Sequence, residues 1–289
     1  MTITLSEARK QLSREIGDYW DSTTTSGGSS TTVVDTALKA KSNDWISDAP
    51  QEMSDLITSG TYIDEERKIS SLDNTSGTLT TLAHGGTIAT AVTYEVHRMF
   101  SASEKRLALI KSAKDAFPAI FKKVRDVTKQ IDSDDITTGI DISALGLLNN
   151  TPSRISQAAT ATATDKDWVV LRNWHIESDG KLYLHEGTSD YYLKIEGIGY
   201  LDFLSVTTPY PVSTAWTATI AIDIPQLYIL TAQAVMYLYV QMIMPNYTSG
   251  ERDQFAKILQ YWQTELADRK GRYAMVPPSP TVDWGIASQ

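Results

Sequence analysis

Apolar residues recur at spacings of three and four in "LSEARKQLSREIGDYW", which puts Leu5, Ala8, Leu12 and Ile16 on one face of an amphipathic helix. The pattern then changes. "DSTTTSGGSS" is a flexible Ser/Thr/Gly run, and from Val33 to Phe100 short stretches rich in Val, Ile, Thr and Tyr, cut by Pro and Gly, predict strands. Ser101 or Ser103 can cap the next helix, which carries Leu107, Ile110, Ala113 and Phe117 on one side. Pro118 predicts a kink or a restart, with the apolar line resuming at Phe121 and Val124. Residues 130–165 predict a long, weakly ordered connection whose short apolar pieces pair as edge strands. Strand signals return between Asp167 and Ile222. Two helices follow: one from Gln226 to Met244, and one from near Ser249 that carries Phe255, Leu259, Trp262 and Leu266 on a single face. Beyond Gly271 the prolines of "RYAMVPPSPTVDWGIASQ" forbid a helix.

These elements predict an α+β fold, an antiparallel helix bundle with two inserted β-rich modules and an extended C-terminal tail. The bundle and its connection take residues 1–30, 100–165 and 223–271. The first β-module takes 31–99, the second takes 166–222, and the tail takes 272–289.

Within the first module, residues 61–72 alternate, which predicts that Tyr62, Asp64, Glu66 and Lys68 share one strand face. "DNTSG" then supplies a turn and "TLTTLA" the partner strand. Asp64 and Glu66 sit close enough to act as an acid pair, but paired glycosidase carboxylates flank a cleft and come from separate elements. Acids here alternate with bases, as on a solvated strand. The stretch therefore predicts a contact hairpin, with Tyr62, Asp64, Glu66 and Lys68 as its partner-facing residues.

Other candidate chemistry is sparse. A two-residue turn at Asp179–Gly180 sets His175 opposite Leu184 and His185 opposite Trp174, so the two imidazoles point to opposite sides of the sheet. A shared metal would need a bulge to correct that register. His84 lies in a Gly-rich turn and His97 at a strand end, and no HExxH or HxH spacing occurs. Glycine-rich nucleotide motifs, GxSxG and EF-hand loops are missing, and "SASEK" misses the SxxK spacing by one residue. The expectation is a non-enzyme without metal or cofactor. Aromatic residues crowd the second module (Trp168, Trp174, Tyr183, Tyr191, Tyr192, Tyr200), and can stack on a sugar or fill a core.

Composition and charge add further points. No cysteine is present, which removes disulfides and thiolate metal sites. The N-terminal stretch has no signal-peptide apolar region. "LYILTAQAVMYLYVQMIM" approaches spanning length, but Gln226, Gln233 and Gln241 draw a polar line along it, so a buried helix is expected rather than a membrane span. Net charge is −9, which argues against general binding of DNA phosphates. From Arg98 to Lys129 nine Lys or Arg face three acids, a segment of +6 that leaves −15 elsewhere. Such asymmetry fits either docking on charged proteins or a solvated helix face.

The order of blocks supplies a resemblance. "ALKAKSNDWISD", the stretch from "SDLITSGTYIDEERKISSLD" through "TLTTLAHGG" to "YEVHRMFSASEKRLALI", and the late "IGYLDFLSV" with "YILTAQAVMYLY" resemble head–tail connector or adaptor (neck) proteins of tailed bacteriophages. The similarity covers most of residues 30–130 and 190–270. Its markers are an E-R-x-I strand, a D-x-x-x-G turn and a T-L-T strand. The resemblance implies a virion protein made in the host cytoplasm, a homo-oligomeric ring, commonly a dodecamer, and a lumen that passes double-stranded DNA without holding it. It also implies that the C-terminal segment engages the portal while the β-modules meet the next neck or tail component. Tyr273, Met275, Val276, Val282, Trp284 and Ile286 are the apolar anchors expected to lie in the portal's groove. A tail-tip, fibre or baseplate protein that binds a host glycan through the aromatic module is the alternative. A glycan-cleaving enzyme would need an acid pair that the spacing does not place.

Overall fold

The computed structural model describes residues 2–47, 52–132, 135–205, 212–243 and 251–277. The chain divides into two compact units, residues 1–116 with 203–273, and residues 117–202 with 274–289.

In the first unit, β1 (Ile3–Thr4) leads into α1 (Leu5–Glu15), whose start is fixed by a capping box between Thr4 and Glu7. Seven strands follow: β2 (Trp20–Thr23), β3 (Ser26–Ser29), β4 (Thr32–Val34), β5 (Ser54–Ile57), β6 (Glu66–Asp73), β7 (Thr78–Thr81) and β8 (Thr93–His97). They form one antiparallel sheet in the order β2-β8-β5-β6-β7-β4-β3. Its two outer strands, β2 and β3, are consecutive pieces of one chain segment. Thr24 pairs with the β8 side, through Thr24 N to Val92 O and Ala91 N to Thr24 O, both 2.9 Å. Thr25 pairs with the β4 side, donating to Val34 O at 3.0 Å. The sheet thus closes on itself as a small barrel, which removes the free edges an open sheet would present. Val33, Met53, Ile57, Ile69, Leu79, Val92, Tyr94 and Val96 are among the buried residues of its core.

Ser101 opens α2 (Ala102–Asp115) with a second capping box, and the Glu66 carboxylate reinforces it. That carboxylate accepts from Ala102 N (2.6 Å), Ser103 N (3.1 Å), Ser103 Oγ (2.8 Å) and Ser54 Oγ (2.7 Å). A negative group at a helix N-terminus meets unsatisfied N–H donors and the positive end of the helix dipole. Glu66 therefore pins α2 to the barrel wall.

In the second unit, β9 (Lys122–Asp126), β10 (Arg154–Ala158), β11 (Val169–Leu171) and β14 (Tyr192–Gly199) form an antiparallel sheet in the order β11-β10-β14-β9. A short helix, α3 (Asp135–Thr138), and the hairpin of β12 (Trp174–Ile176) and β13 (Leu182–Leu184) complete it. The core gathers Val124, Ile155, Leu193 and Ile195 from the sheet, Leu182 and Leu184 from the hairpin, and Ile131, Ile140, Ile142 and Leu147 from the intervening segments.

The chain then returns to the first unit through β15 (Thr219–Ile220), which pairs with β1. There α4 (Ile224–Ile243) and α5 (Glu251–Tyr273) pack together, and α4 also packs on α1 and α2. Among the described residues no helix is long and apolar enough to cross a membrane.

The expected fold is overturned. Among the described residues the structure is 32% helical and 26% strand, with four sheets, one of seven strands, and is not a helix bundle with inserted β-modules. The first β-region is not an insertion, because its strands share buried charges and helix caps with α1 and α2. Nor does a helix resume after Pro118. Lys122–Asp126 is a strand that turns Val124 inward and exposes Lys123 and Arg125, a period of two that four residues cannot distinguish from a helix turn. Residues 130–165 are not a loose connection either, since they supply β10, an inner strand of its sheet.

Candidate functional site

The hairpin read as a contact surface is built differently from its alternation. Residues 61–64 form a turn, with Asp64 in the left-handed region at φ 69°, and β6 starts only at Glu66. Tyr62 and Asp64 therefore do not share a strand face with Glu66 and Lys68. Tyr62 lies across Gly85 and Gly86 so closely that a Cβ on Gly86 would sit 2.0 Å from its hydroxyl. Glu65 ties the two loops, accepting from Gly85 N (2.9 Å) and Arg67 Nη2 (3.1 Å). Beneath it His84 Nε2 meets Asp55 Oδ2 at 3.1 Å, both side chains fully buried, and burial raises the Asp55 carboxyl above its usual range. Glu66 faces inward to cap α2, and Lys68 pairs with exposed Glu52. Asp64 and Glu66 are not brought together over a cleft.

A second cluster was not legible as a unit in the sequence. Arg9 donates to both oxygens of Glu95, at 2.7 and 3.1 Å, and its guanidinium stacks 4.1 Å from the centre of the Trp216 ring. His97 Nε2 lies 3.6 Å from Glu95, while its Nδ1 accepts from Lys105 Nζ at 3.0 Å. Lys105 also bonds Asp18 at 2.8 Å. Asp18 in turn accepts from the backbone N–H of Arg98, and from those of Met99 and Phe100, both at 3.1 Å. Arg9, Asp18, Glu95, His97 and Lys105 are at most 2% exposed. The chain of charges joins α1, β8 and α2 and offers no surface to a substrate. The sequence signal was slight: Arg9 follows Ala8 on the buried side of α1, and Glu95 and His97 share one strand.

His97 must stay neutral in this setting. Burial, then Lys105, then Arg9 hold its pKa well below the ordinary 6.5. The unfolded chain binds this proton below pH 6.5 and the folded chain does not, so the stabilisation is complete above pH 6.5 and is lost as pH falls below it. His97→Gln, whose amide oxygen can still accept from Lys105, should therefore show a smaller loss of stability between pH 7 and pH 5 than the wild type. Urea denaturation at both values checks this, and equal losses in the two proteins would contradict it.

In the second unit the hairpin register differs from expectation by one residue. Trp174 lies opposite Leu184 and His175 opposite Tyr183, because the turn takes residues 178–180 with Gly180 at φ 77°. His175 and His185 consequently share a face and stack at 4.8 Å, with Tyr183 on the other side of His175 at 5.5 Å. Among the described residues no three His, Asp or Glu side chains converge as a metal site would need. The aromatic crowd does not form one platform: Trp168 is 6% exposed and donates to Ala163 O, while Trp174 and Tyr191 pack on the core.

The basic segment 98–129 is divided between α2 in the first unit and β9 in the second. Lys105 is buried, and Arg106 and Lys111 lie over Trp216 and Tyr237. Of the tail residues, Tyr273 ends α5 and accepts from Gln226 Nε2 at 3.2 Å. Met275 N donates to Ala119 O at 2.8 Å, and Val276 is 83% exposed. Val282, Trp284 and Ile286 lie outside the described residues.

Comparison with protein-family models, with curated proteins and with solved structures finds no match to this chain.

Proposed function

We propose that this chain is a structural virion protein of a tailed phage, a head–tail connector or adaptor subunit that forms a ring below the portal through which DNA passes. The observation that carries the reading is the passage from α5 into its tail. A 23-residue helix hands over at Tyr273 to a proline-rich segment with spaced apolar residues, of which Val276 is left exposed. A segment of this composition, whose prolines bar a helix, is suited to a partner's groove or sheet edge. The barrel adds support, since Glu66 and Glu95 are engaged by α2 and α1 and are not offered to a substrate. The excess of acid suits a conduit that does not retain DNA. A glycan-binding tail component draws less support, because Trp168 is buried and Trp174 and Tyr191 serve the core.

Truncation after Gly271 tests the tail. The shortened protein should remain folded, with its melting temperature within a few degrees of the full chain, and should no longer co-sediment with portal rings from the same virion. Docking that survives truncation would place the contact elsewhere, and loss of the fold would assign the tail to the protein's own core.

A further inference from the structure

The second unit carries charges of opposite sign on opposite sides of one core. In its sheet Val124, Ile155, Leu193 and Ile195 face that core, so the alternate residues face away from it. On this outer face Arg125 lies opposite Glu196, and Glu196 lies opposite Arg154, a row across three strands. Lys123 and Lys194 share the face. Lys123 and Arg125 are exposed, and Arg125 and Lys194 both approach Asp165, at 3.7 and 3.5 Å. Of the four cations on this face Lys123 and Arg125 are the exposed pair, Arg154 is half-buried, and Lys194 is 5% exposed beneath the Trp168 ring. Arg154 Nε and Ser156 Oγ are buried there without a hydrogen-bond partner.

On the far side of the core the β12–β13 hairpin turns Leu182 and Leu184 inward, with Trp174 and Ile176 packed on the same core. Glu177, Asp179 and Glu186 are exposed on and beside it, next to the His175–His185 stack. Backbone N–H donors hold Asp179 and Glu186 below the usual carboxylate range, so both are charged near neutral pH. Lys181 and exposed Arg172 sit among these acids, Arg172 beside Glu186, while the Lys181 Nζ is engaged by Thr138 O at 3.1 Å.

We propose that the basic outer face of this sheet docks onto the acidic hairpin of a second copy of the chain. The two patches lie on opposite sides of a single core, so one unit cannot satisfy itself. Because the patches differ, the contact is head-to-tail and leaves each copy with one patch to offer, which closes a ring or extends a filament. The occupant is a protein surface rather than a phosphate backbone. Glu196 stands between Arg125 and Arg154, and phosphates would leave it facing like charge, whereas the hairpin brings imidazole donors as well as carboxylates. The inference rests on the ring reading and assigns it an interface.

Sedimentation velocity of the full chain tests it with two double variants, Lys123→Glu/Arg125→Glu and Glu177→Lys/Asp179→Lys. Each should weaken self-association by about tenfold or more, as loss of complementary charge does. An equimolar mixture of the two should recover association, because each reversed patch then meets its complement. The wild type should associate less as salt rises. Thermal melts report whether each variant is folded; if either is not, the salt dependence of the wild type decides. Wild-type association that ignores salt, folded variants that assemble like the wild type, or a mixture that does not recover would each overturn the proposal. Rings that persist in both variants would leave the ring reading standing and remove this interface alone. A protein that is monomeric at all salt concentrations would sink both. A duplex DNA fragment bound through Lys123 and Arg125, with no self-association, would assign the face to nucleic acid instead.

Discussion

Replacing Glu95 by alanine is expected to destabilise the first unit by about 3–5 kcal/mol, the range found when one partner of a buried ion pair is removed. The cause is not the strength of the pair itself. Glu95 is 1% exposed and receives two bonds from Arg9, which is equally buried. Without the carboxylate, Arg9 keeps its charge in a site that water does not reach, with His97 and Lys105 as neighbours of no help to it. The same reasoning predicts that Arg9→Met combined with Glu95→Leu regains most of the loss, because the desolvation cost leaves with both charges. Urea titration of the single and double variants measures both numbers. A cost below about 1 kcal/mol for Glu95→Ala would show that the pair is solvated and that the cluster does not hold α1 against β8.

The closure of the barrel gives the second large effect. A Cβ on Gly28 would lie 2.0 Å from the carbonyl oxygen of Thr32. Neither group is free to retreat. Gly28 N donates to Ile88 O at 2.9 Å, and Thr32 is paired with Thr80 on its other side. Gly28→Ala should therefore cost about 2–4 kcal/mol, as forced backbone shifts in a packed site do. Gly27 provides the control. Its added Cβ would meet atoms no nearer than 3.9 Å, so Gly27→Ala should change stability by about 0.5 kcal/mol or less. Equal effects at the two positions would mean that the β3–β4 hairpin is not held as closely at Gly28 and Thr32 as the structure places it.

Local signals served well where one face of an element decides its fate. The stripe Leu5, Ala8, Leu12 placed α1, a serine cap at Ser101 or Ser103 placed the start of α2, and the apolar runs placed α4 and α5 to within a few residues, but the face expected for α2 was wrong, since Leu107 is 61% exposed and Ala108, Leu109 and Ser112 are buried instead. The turn from Asp73 to Gly77 was equally plain, because Gly77 takes φ 76°. Pairings between distant segments were not legible. Nothing in "DSTTTSGGSS" announces that one bent segment closes a barrel, since its first half pairs with β8, whose Thr93 lies 70 residues beyond Thr23. Glu66 read as a solvated strand acid because its partners, Ala102 and Ser103, are 36 and 37 residues off. The histidine register failed for a smaller reason, one extra residue in the turn, and a slip of one moves every side chain to the other face. Unit 2 draws its core from single apolar residues scattered through turns, such as Ile131, Ile140 and Leu147, which carry no periodicity to detect.

The central claim is that this chain builds a ring. Negative-stain electron microscopy of the purified full-length protein, alone and mixed with portal from the same virion, tests it most directly. The account predicts closed rings of uniform subunit number with a central channel, formed alone or on contact with portal. Particles that remain single subunits under both conditions, at concentrations up to the solubility limit, would contradict it.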